Sequence, residues 1–474
     1  MTNAETAPII VWFRRDLRLS DNPAIEAAVS SGHPIIFLFI KDARVDGLGA
    51  AAKWRLGLSL ENLSARVRDA GGEVVFRSGS PLDVIREIVA ETGAVGLHYC
   101  RDYTPQAIKR DTETKNNLSG EMTVQSHMGA LLFEPWTVRN GAGSFYKVYT
   151  PFWKAVRDVS VRAPLQVPER INFFQTMPAS EQLSHWALGK AMNRGAEVVA
   201  EHVCVGEGAA QKRLEHFCQT RIGDYKAERD RLDLDATSRL SENLTYGEIS
   251  PRQMWTAGQA AMQNGAHGAE HFLKEIAWRE FAYHLAYHTP HILDKCWRDG
   301  WDTFPWRDDN DDAEKWRRGL TGEPVVDAAM REMYVTGTMH NRARMIVASY
   351  LTKHLMVHWK VGMDWFAECL TDWDPASNAM GWQWTAGCGP DASPFFRIFN
   401  PQTQAEKFDP DGIYRDRFLD PSNPQAAAFH RAVPRSWGMP KEPEFVKLVD
   451  LKDGREQALA AYKRYTEDGR QEAS

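Results

Sequence analysis

Ile9-Ile10-Val11-Trp12-Phe13, closed at once by Arg14-Arg15-Asp16-Leu17-Arg18, is a short apolar run stopped by charges. It is too brief for a signal-peptide core or a membrane span and has the length of a strand. Four further β-type runs follow, at 35–40, 74–76, 95–99 and 123–126. Helix-period segments separate them, at 50–68 and at 82–91, the latter with Val84, Ile85, Ile88 and Val89 on one face. Ser80-Pro81 precedes that second helix in the order of a cap and an N1 proline. Strand–helix alternation of this kind predicts a parallel, doubly wound α/β sheet over residues 1–132.

Outward from that domain the pattern changes twice. Residues 133–206 carry Pro135, Pro151, Pro164, Pro168 and Pro178 among polar turns and read as a long connector wrapped on the surface. Over 207–474 strand signals vanish and helical periods dominate, ending in a helix expected at 456–465. The expected fold is therefore α/β plus all-α, without internal repeats.

Bulk properties exclude several classes. The 474 residues are 43% hydrophobic and 25% charged, as in an ordinary soluble protein with two or three domains. A net charge of -6 argues against indiscriminate nucleic-acid binding, although phosphates sense only charge within a Debye length of about 8–10 Å. The cysteines at 100, 204, 218, 296, 369 and 388 form no CxxC pair and read as reduced thiols of a cytoplasmic protein. No apolar run approaches the ~20 residues that span a bilayer. His284 and His288 lack the HExxH context of a zinc site, and no GxGxxG follows the first strand, so neither a metal nor a Rossmann dinucleotide site is expected. Seventeen tryptophans are a surplus that invites stacking or electron-transfer roles.

Polar groups gather in four places in the helical half. Thr237-Ser238-Arg239-Leu240-Ser241 clusters hydroxyls and a guanidinium, which read by themselves more as a plain helix cap than as a diphosphate site. Glu275, Trp278 and Arg279 share one helix face, where Glu and Arg can pair. Asn341, Arg344 and Met345 share another in His340-Asn341-Arg342-Ala343-Arg344-Met345. Asp372-Trp373-Asp374 precedes Asn378-Ala379-Met380-Gly381-Trp382-Gln383-Trp384, which sets amides and carboxylates beside indoles as a small-molecule pocket requires. Pro375 forces Asp374 towards an extended conformation, and Arg344 and Asp372 are natural partners.

These motifs, with Phe396-Arg397-Ile398-Phe399-Asn400-Pro401, resemble the photolyase/cryptochrome family along nearly the whole chain. The resemblance implies an N-terminal antenna-binding domain and a helical domain that holds FAD and DNA. Cofactor-binding roles fall to Tyr225 (in Gly223-Asp224-Tyr225), Thr237, Ser238, Arg239, Leu240, Ser241, Arg279, Arg344, Asp372, Trp373, Asp374 and Asn378. Asp374 would face the adenine or ribose and Asn378 the flavin N5. Lesion and DNA contacts fall to Arg229, Glu275, Trp278, Asn341, Arg342, Met345, Trp384, Arg397 and Gln404, with Lys407 a further phosphate contact. Glu275, Asn378 and Met345 take the catalytic positions, with Glu275 hydrogen-bonded to a thymine carbonyl, and Trp382, Trp359 and Trp306 match an electron-hopping chain.

The implied activity is light-driven repair of cyclobutane pyrimidine dimers by a lyase acting on ultraviolet-damaged DNA, with electron transfer from excited FADH⁻ to a flipped-out dimer. Asn341 and Met345 stand where enzymes acting on (6-4) photoproducts carry histidines, and Asn378 where plant cryptochromes carry Asp. Thr338 departs from the Trp usual before Met339-His340-Asn341-Arg342, and the run at 374–382 resembles the bacterial subclass close to plant cryptochromes. The stretch 49–56 resembles one near the antenna groove, and methenyltetrahydrofolate is expected over a deazaflavin. A blue-light photoreceptor without repair activity is the competing reading, and a dark flavin oxidoreductase a more distant one. A monomer is expected.

Overall fold

The computed structural model describes residues 7–392, 394–440 and 446–471. Its strands are β1 (Ile9–Phe13), β2 (Ile35–Lys41), β3 (Val74–Ser78), β4 (Gly96–Cys100) and β5 (Thr123–His127), in the order β3-β2-β1-β4-β5. All neighbours are parallel. Alternation of side chains explains the all-apolar β1: Ile9, Val11 and Phe13 enter one core, Ile10 and Trp12 the other. β4 begins one residue later than expected: Val95 is exposed, and Gly96 leaves room for the Ile9 side chain of β1. The helix Pro81–Thr92 starts after Ser80 as expected, but the Ser80 hydroxyl makes no capping hydrogen bond.

The connector is more than a surface wrapping. Its helix Tyr149–Val156 buries Tyr149, Phe152, Trp153 and Val156. Further on, Ile35 donates its N–H to the Asn172 carbonyl at 2.7 Å, and Phe174 donates to Ile35 at 3.1 Å. Phe173 and Phe174 thereby enter opposite faces of the sheet. Hydrophobic burial, not chain polarity, decides the course of this segment.

No strand follows His127 among the described residues, and the last helix is Leu451–Gln471, longer than expected. The helices that matter most below are Ala269–His288, Asn341–Ser349, Trp359–Cys369 and Pro375–Ala386. A π-helical turn, Tyr350–His354, continues the second of them. No helix among the described residues is long and apolar enough to cross a membrane.

The α/β and helical parts are joined by a buried guanidinium. Arg55 donates to Glu248 Oε1 and Oε2 at 3.0 and 2.7 Å, to Glu242 at 3.2 Å and to the Cys204 carbonyl at 2.8 Å. Trp54 beside it is buried against Gly189, so these two residues of 49–56 pack inward instead of lining an open groove.

Candidate functional site

A cavity of about 740 Å³ opens in the helical half. Its wall gathers Tyr225, Arg229, residues 237–241, Glu275, Trp278, Arg279, Asn341, Arg342, Arg344, Met345, residues 372–374, Asn378, Trp382 and Trp384. Segments more than a hundred residues apart in sequence thus meet at one place, as the resemblance implied. Arg397, Gln404 and Lys407 lie outside that wall, as do Trp306 and Trp359. Arg397 and Lys407 are exposed, and the Lys353 amine in the π-helical turn holds the Arg397 carbonyl at 3.1 Å. Burial lowers that amine to about 7.

Arg344 meets Asp372 as expected. Its Nη2 donates to both carboxylate oxygens, at 2.9 and 2.7 Å, and its Nε donates to the Met339 carbonyl at 2.8 Å. Asn378 Nδ2 donates to the Met363 carbonyl at 3.0 Å, which fixes the amide on its helix. Asp374 is extended, as Pro375 requires, but it starts a helix: Oδ1 accepts the Ser377 N–H at 2.9 Å. Oδ2 accepts from Tyr283 at 2.5 Å and from Arg15 at 3.1 Å. Burial alone would raise this carboxyl; Arg15, Arg279 and Tyr283 outweigh it and hold it below the usual range. Both oxygens are engaged within the protein, so a ligand meets Asp374 only at the remaining lone pairs.

Two expectations about ion pairs are corrected. Glu275 does not pair with Arg279, its neighbour on the helix, but with Arg229 from another segment. Arg279 turns to the Ala130 carbonyl at 2.9 Å and lies over the Tyr283 ring at 5.0 Å. Arg229 is therefore no free phosphate contact. Arg342 is also paired, donating to Asp230 at 2.6 Å while lying 4.5 Å over Phe408. Tethering a guanidinium in a carboxylate's geometry beats leaving it solvated only where burial lowers the local dielectric, and both arginines are largely covered.

Trp278 stacks on Tyr149 with centroids 3.6 Å apart and planes 8° from parallel. A connector residue thus backs the tryptophan of the cavity wall. Trp382 and Trp359 are fully buried, Trp306 half-buried. The Trp382 ring fills the space beside Gly362, where any Cβ would sit 2.0 Å from it. Gly362 lies one turn after Trp359, so Trp382 packs on the helix that carries Trp359. His358 stands between the other two rings, 5.1 Å from Trp306 and 5.4 Å from Trp359.

Sequence reasoning missed Arg15, Tyr283, Tyr149 and His340. Arg15 sits at the carboxyl end of β1, where the strand order reverses, the one available signal. His340 accepts the Arg342 N–H on Nδ1 at 3.1 Å, and burial lowers it to about 4. Its Nε2, with Arg342 Nε and Trp373 Nε1, is buried without a protein partner. Each such group costs about 1–3 kcal/mol unless a ligand pairs with it. Those orphans, the hydroxyls of 237–241 and the indole walls fit a ligand that combines aromatic rings with polar linkages, as FAD does. Thr338 also lies on the wall, its hydroxyl beside that of Thr336.

By contrast, the crevice at the carboxyl ends of β1 and β4 is nearly closed, with about 20 Å³ left. Arg14 fills it, bound to Asp111 at 2.6 and 2.7 Å and lying over Trp12 and Tyr99. Among the described residues no group of three or more His, Cys, Asp or Glu could hold a metal ion. His284 instead accepts the Tyr146 N–H at 3.1 Å, and burial lowers it to about 3.

The family model described as "DNA photolyase" matches residues 9–169, and that described as "FAD binding domain of DNA photolyase" matches residues 272–464. A deoxyribodipyrimidine photo-lyase of Agrobacterium fabrum is 42% identical over 473 residues, covering 97% of this chain and 98% of that protein. Cryptochrome-1 of Arabidopsis thaliana is 33% identical, covering 86% of this chain and 62% of its own length. The solved structure of a bacterial class III photolyase from Agrobacterium tumefaciens superposes with a TM-score of 0.91 at 41% identity, covering 98% of this chain and all of that one. Fold, cavity and likeness agree: the chain belongs to the photolyase/cryptochrome family.

Proposed function

We propose that this protein repairs cyclobutane pyrimidine dimers in DNA with blue light, using FAD held in the cavity. One observation carries the reading: Glu275, Trp278, Asn341 and Met345 share a single cavity with Arg344, Asp372 and Asn378. A lesion wall and a flavin wall that close are arranged for direct transfer between two ligands. FAD, when bound in its reduced form, supplies the electron that splits the cyclobutane ring.

The chain's own residues do the rest. Tyr225, Thr237, Ser238, Arg239 and Ser241 bind the diphosphate region, with Leu240 in the same turn. Arg344 and Asp372, locked to each other, orient the ring system, and Trp373 and Asp374 flank it. Asn378 presents an uncharged amide at N5. Trp278, Trp384 and Met345 pack on the flipped dimer, and Asn341 hydrogen-bonds its edge. As the acceptor of an ion pair, Glu275 takes a hydrogen bond from an imide N–H. The donor to the neighbouring carbonyl, where negative charge develops, is then Arg229. This revises the role expected of Glu275. Arg342, Arg397, Gln404 and Lys407 position the strand through its backbone. Trp382, Trp359 and Trp306 refill the flavin.

The domain division at 1–132, 133–206 and 207–474 belongs to the same proposal. An antenna in the α/β part is best read as methenyltetrahydrofolate, bound elsewhere than the closed crevice at the ends of β1 and β4. The enzyme is read as a cytoplasmic monomer. The deciding experiment is repair of an oligonucleotide with one dimer, under blue light and in the dark. Repair only in the light supports the proposal; flavin photochemistry without repair would overturn it in favour of a photoreceptor.

A further inference from the structure

Two thiols lie directly behind the tryptophans. Cys296 and Cys388 are both buried in the helical core. Gln383, the residue after Trp382, holds their two segments together. Its Nε2 donates to the carbonyls of Ile292 and Lys295 at 2.7 and 3.1 Å, and its Oε1 accepts the Trp297 N–H at 2.8 Å. Its own carbonyl accepts the N–H groups of Gly387 and Gly389, each at 3.0 Å. The Arg298 N–H closes the arrangement on the Cys388 carbonyl at 3.1 Å. Residues on both sides of each cysteine are thus fixed to a single residue, Gln383.

The Cys296 sulfur is hydrogen-bonded in turn. Trp359 Nε1 donates to Cys296 Sγ at 3.3 Å. Cys388 and Cys296 perturb each other's ionisation, and Asp302 acts on Cys296 as well. Asp302 is exposed. The neighbouring Cys388 and the donating Trp359 hold the Cys296 thiol below its usual range despite burial, whereas burial pushes Cys388 well up. Cys296 is therefore the easier sulfur to ionise and oxidise. It is also in direct contact with Trp359, while His358 stands between the Trp306 and Trp359 rings.

We infer that Cys296 and Cys388 are an internal two-electron reductant for oxidised flavin, reached through Trp359 and Trp382. The inference rests on the tryptophan relay of the proposed function. Light moves an electron from Trp382 to the flavin, and Trp359 refills Trp382. The Cys296 sulfur then refills Trp359, a tryptophan radical cation being a stronger oxidant than a thiyl radical, and its proton leaves through Asp302. A second photon repeats the transfer at the expense of Cys388, and an S–S bond forms in place of two S–H bonds. In sum, oxidised flavin and two thiols give the reduced anionic flavin, one disulfide and one proton.

The test uses the holoprotein with oxidised FAD, without oxygen or added reductant. Flavin absorbance is followed under blue light, and thiols are alkylated in denaturant and mapped by mass spectrometry. Two thiols should be lost per flavin reduced, recovered as a peptide crosslinked between Cys296 and Cys388, with no loss in the dark. Cys388→Ala should slow donor-free photoreduction at least tenfold, and dithiothreitol should restore it. Trp382→Phe, which leaves both cysteines in place, should keep them reduced in the light. Flavin reduction with both thiols intact in the parent protein would overturn the inference, whatever the Cys388 variant does. Failure of the parent flavin to reduce even with dithiothreitol would instead remove the relay, and the inference with it.

Discussion

Arg15 Nη2 lies 3.1 Å from Asp374 Oδ2, a contact between residues 359 positions apart. Tyr283 completes a triangle, its hydroxyl 3.2 Å from Arg15 Nη1 and 2.5 Å from the same carboxylate oxygen. The end of the first strand thereby fixes the start of the helix that carries Asn378 and Trp382.

Arg15→Ala should cost on the order of 3 kcal/mol, the low end for breaking a largely buried pair. Asp374 is held below the usual carboxylate range, so its contribution to stability is present above the unfolded value of about 3.9 and is lost as pH falls towards the folded one. Without Arg15, burial dominates and the acid transition should move to higher pH. Urea unfolding at several pH values checks this; an unchanged acid midpoint would refute it.

Arg344→Lys keeps the charge and loses the two-point grip on Asp372. Flavin affinity should fall by roughly tenfold, as charge-assisted bonds of this kind contribute about 1.5–3 kcal/mol. Fluorescence of flavin released on dilution measures it, and full retention would show that the pair does not orient the ligand.

Trp382→Phe should abolish photoreduction of oxidised flavin and leave repair intact once the flavin is reduced chemically. The ring packs on the helix of Trp359, so its loss breaks the relay without touching the lesion wall. Undiminished photoreduction would mean that another route carries the electrons.

Asn378→Asp replaces a donor to the Met363 carbonyl by a carboxylate facing it. The added negative charge should also disfavour the anionic reduced flavin. Repair should drop more than DNA affinity; equal effects on both would place Asn378 away from N5.

Trp278→Ala and Arg397→Ala should separate two kinds of contact. The exposed Arg397 should contribute a log–log salt slope of roughly −0.9 on damaged and undamaged DNA alike. Trp278, stacked on Tyr149, should change the preference for damaged DNA and leave the slope unaltered. Arg342, already paired with Asp230, should matter less to the slope than Arg397. Lesion preference that survives Trp278→Ala would remove that residue from the pocket.

The sheet was legible because period-2 burial is written in composition: Ile9 to Phe13 can be apolar throughout only if both faces are covered. Pairings within a few residues, or carried by long motifs, were legible too, as with Arg344 and Asp372. Ion pairs between distant segments were not. Glu275 has a suitable partner four residues on, and only the folded chain reveals that Arg229 takes it. Tyr149 and Phe173 were hidden for another reason, since local polarity in the connector masks single aromatic residues that pack far from it.

Arg55 has no exposed surface, and its glutamate partners come from beyond residue 240. The residues up to 206 and those from 207 onward are therefore not separable in folding. A fragment cut between them would strand a buried guanidinium in one piece and two buried carboxylates in the other, at several kcal/mol each. The chain should melt in one calorimetric transition, with neither half able to refold without its complement.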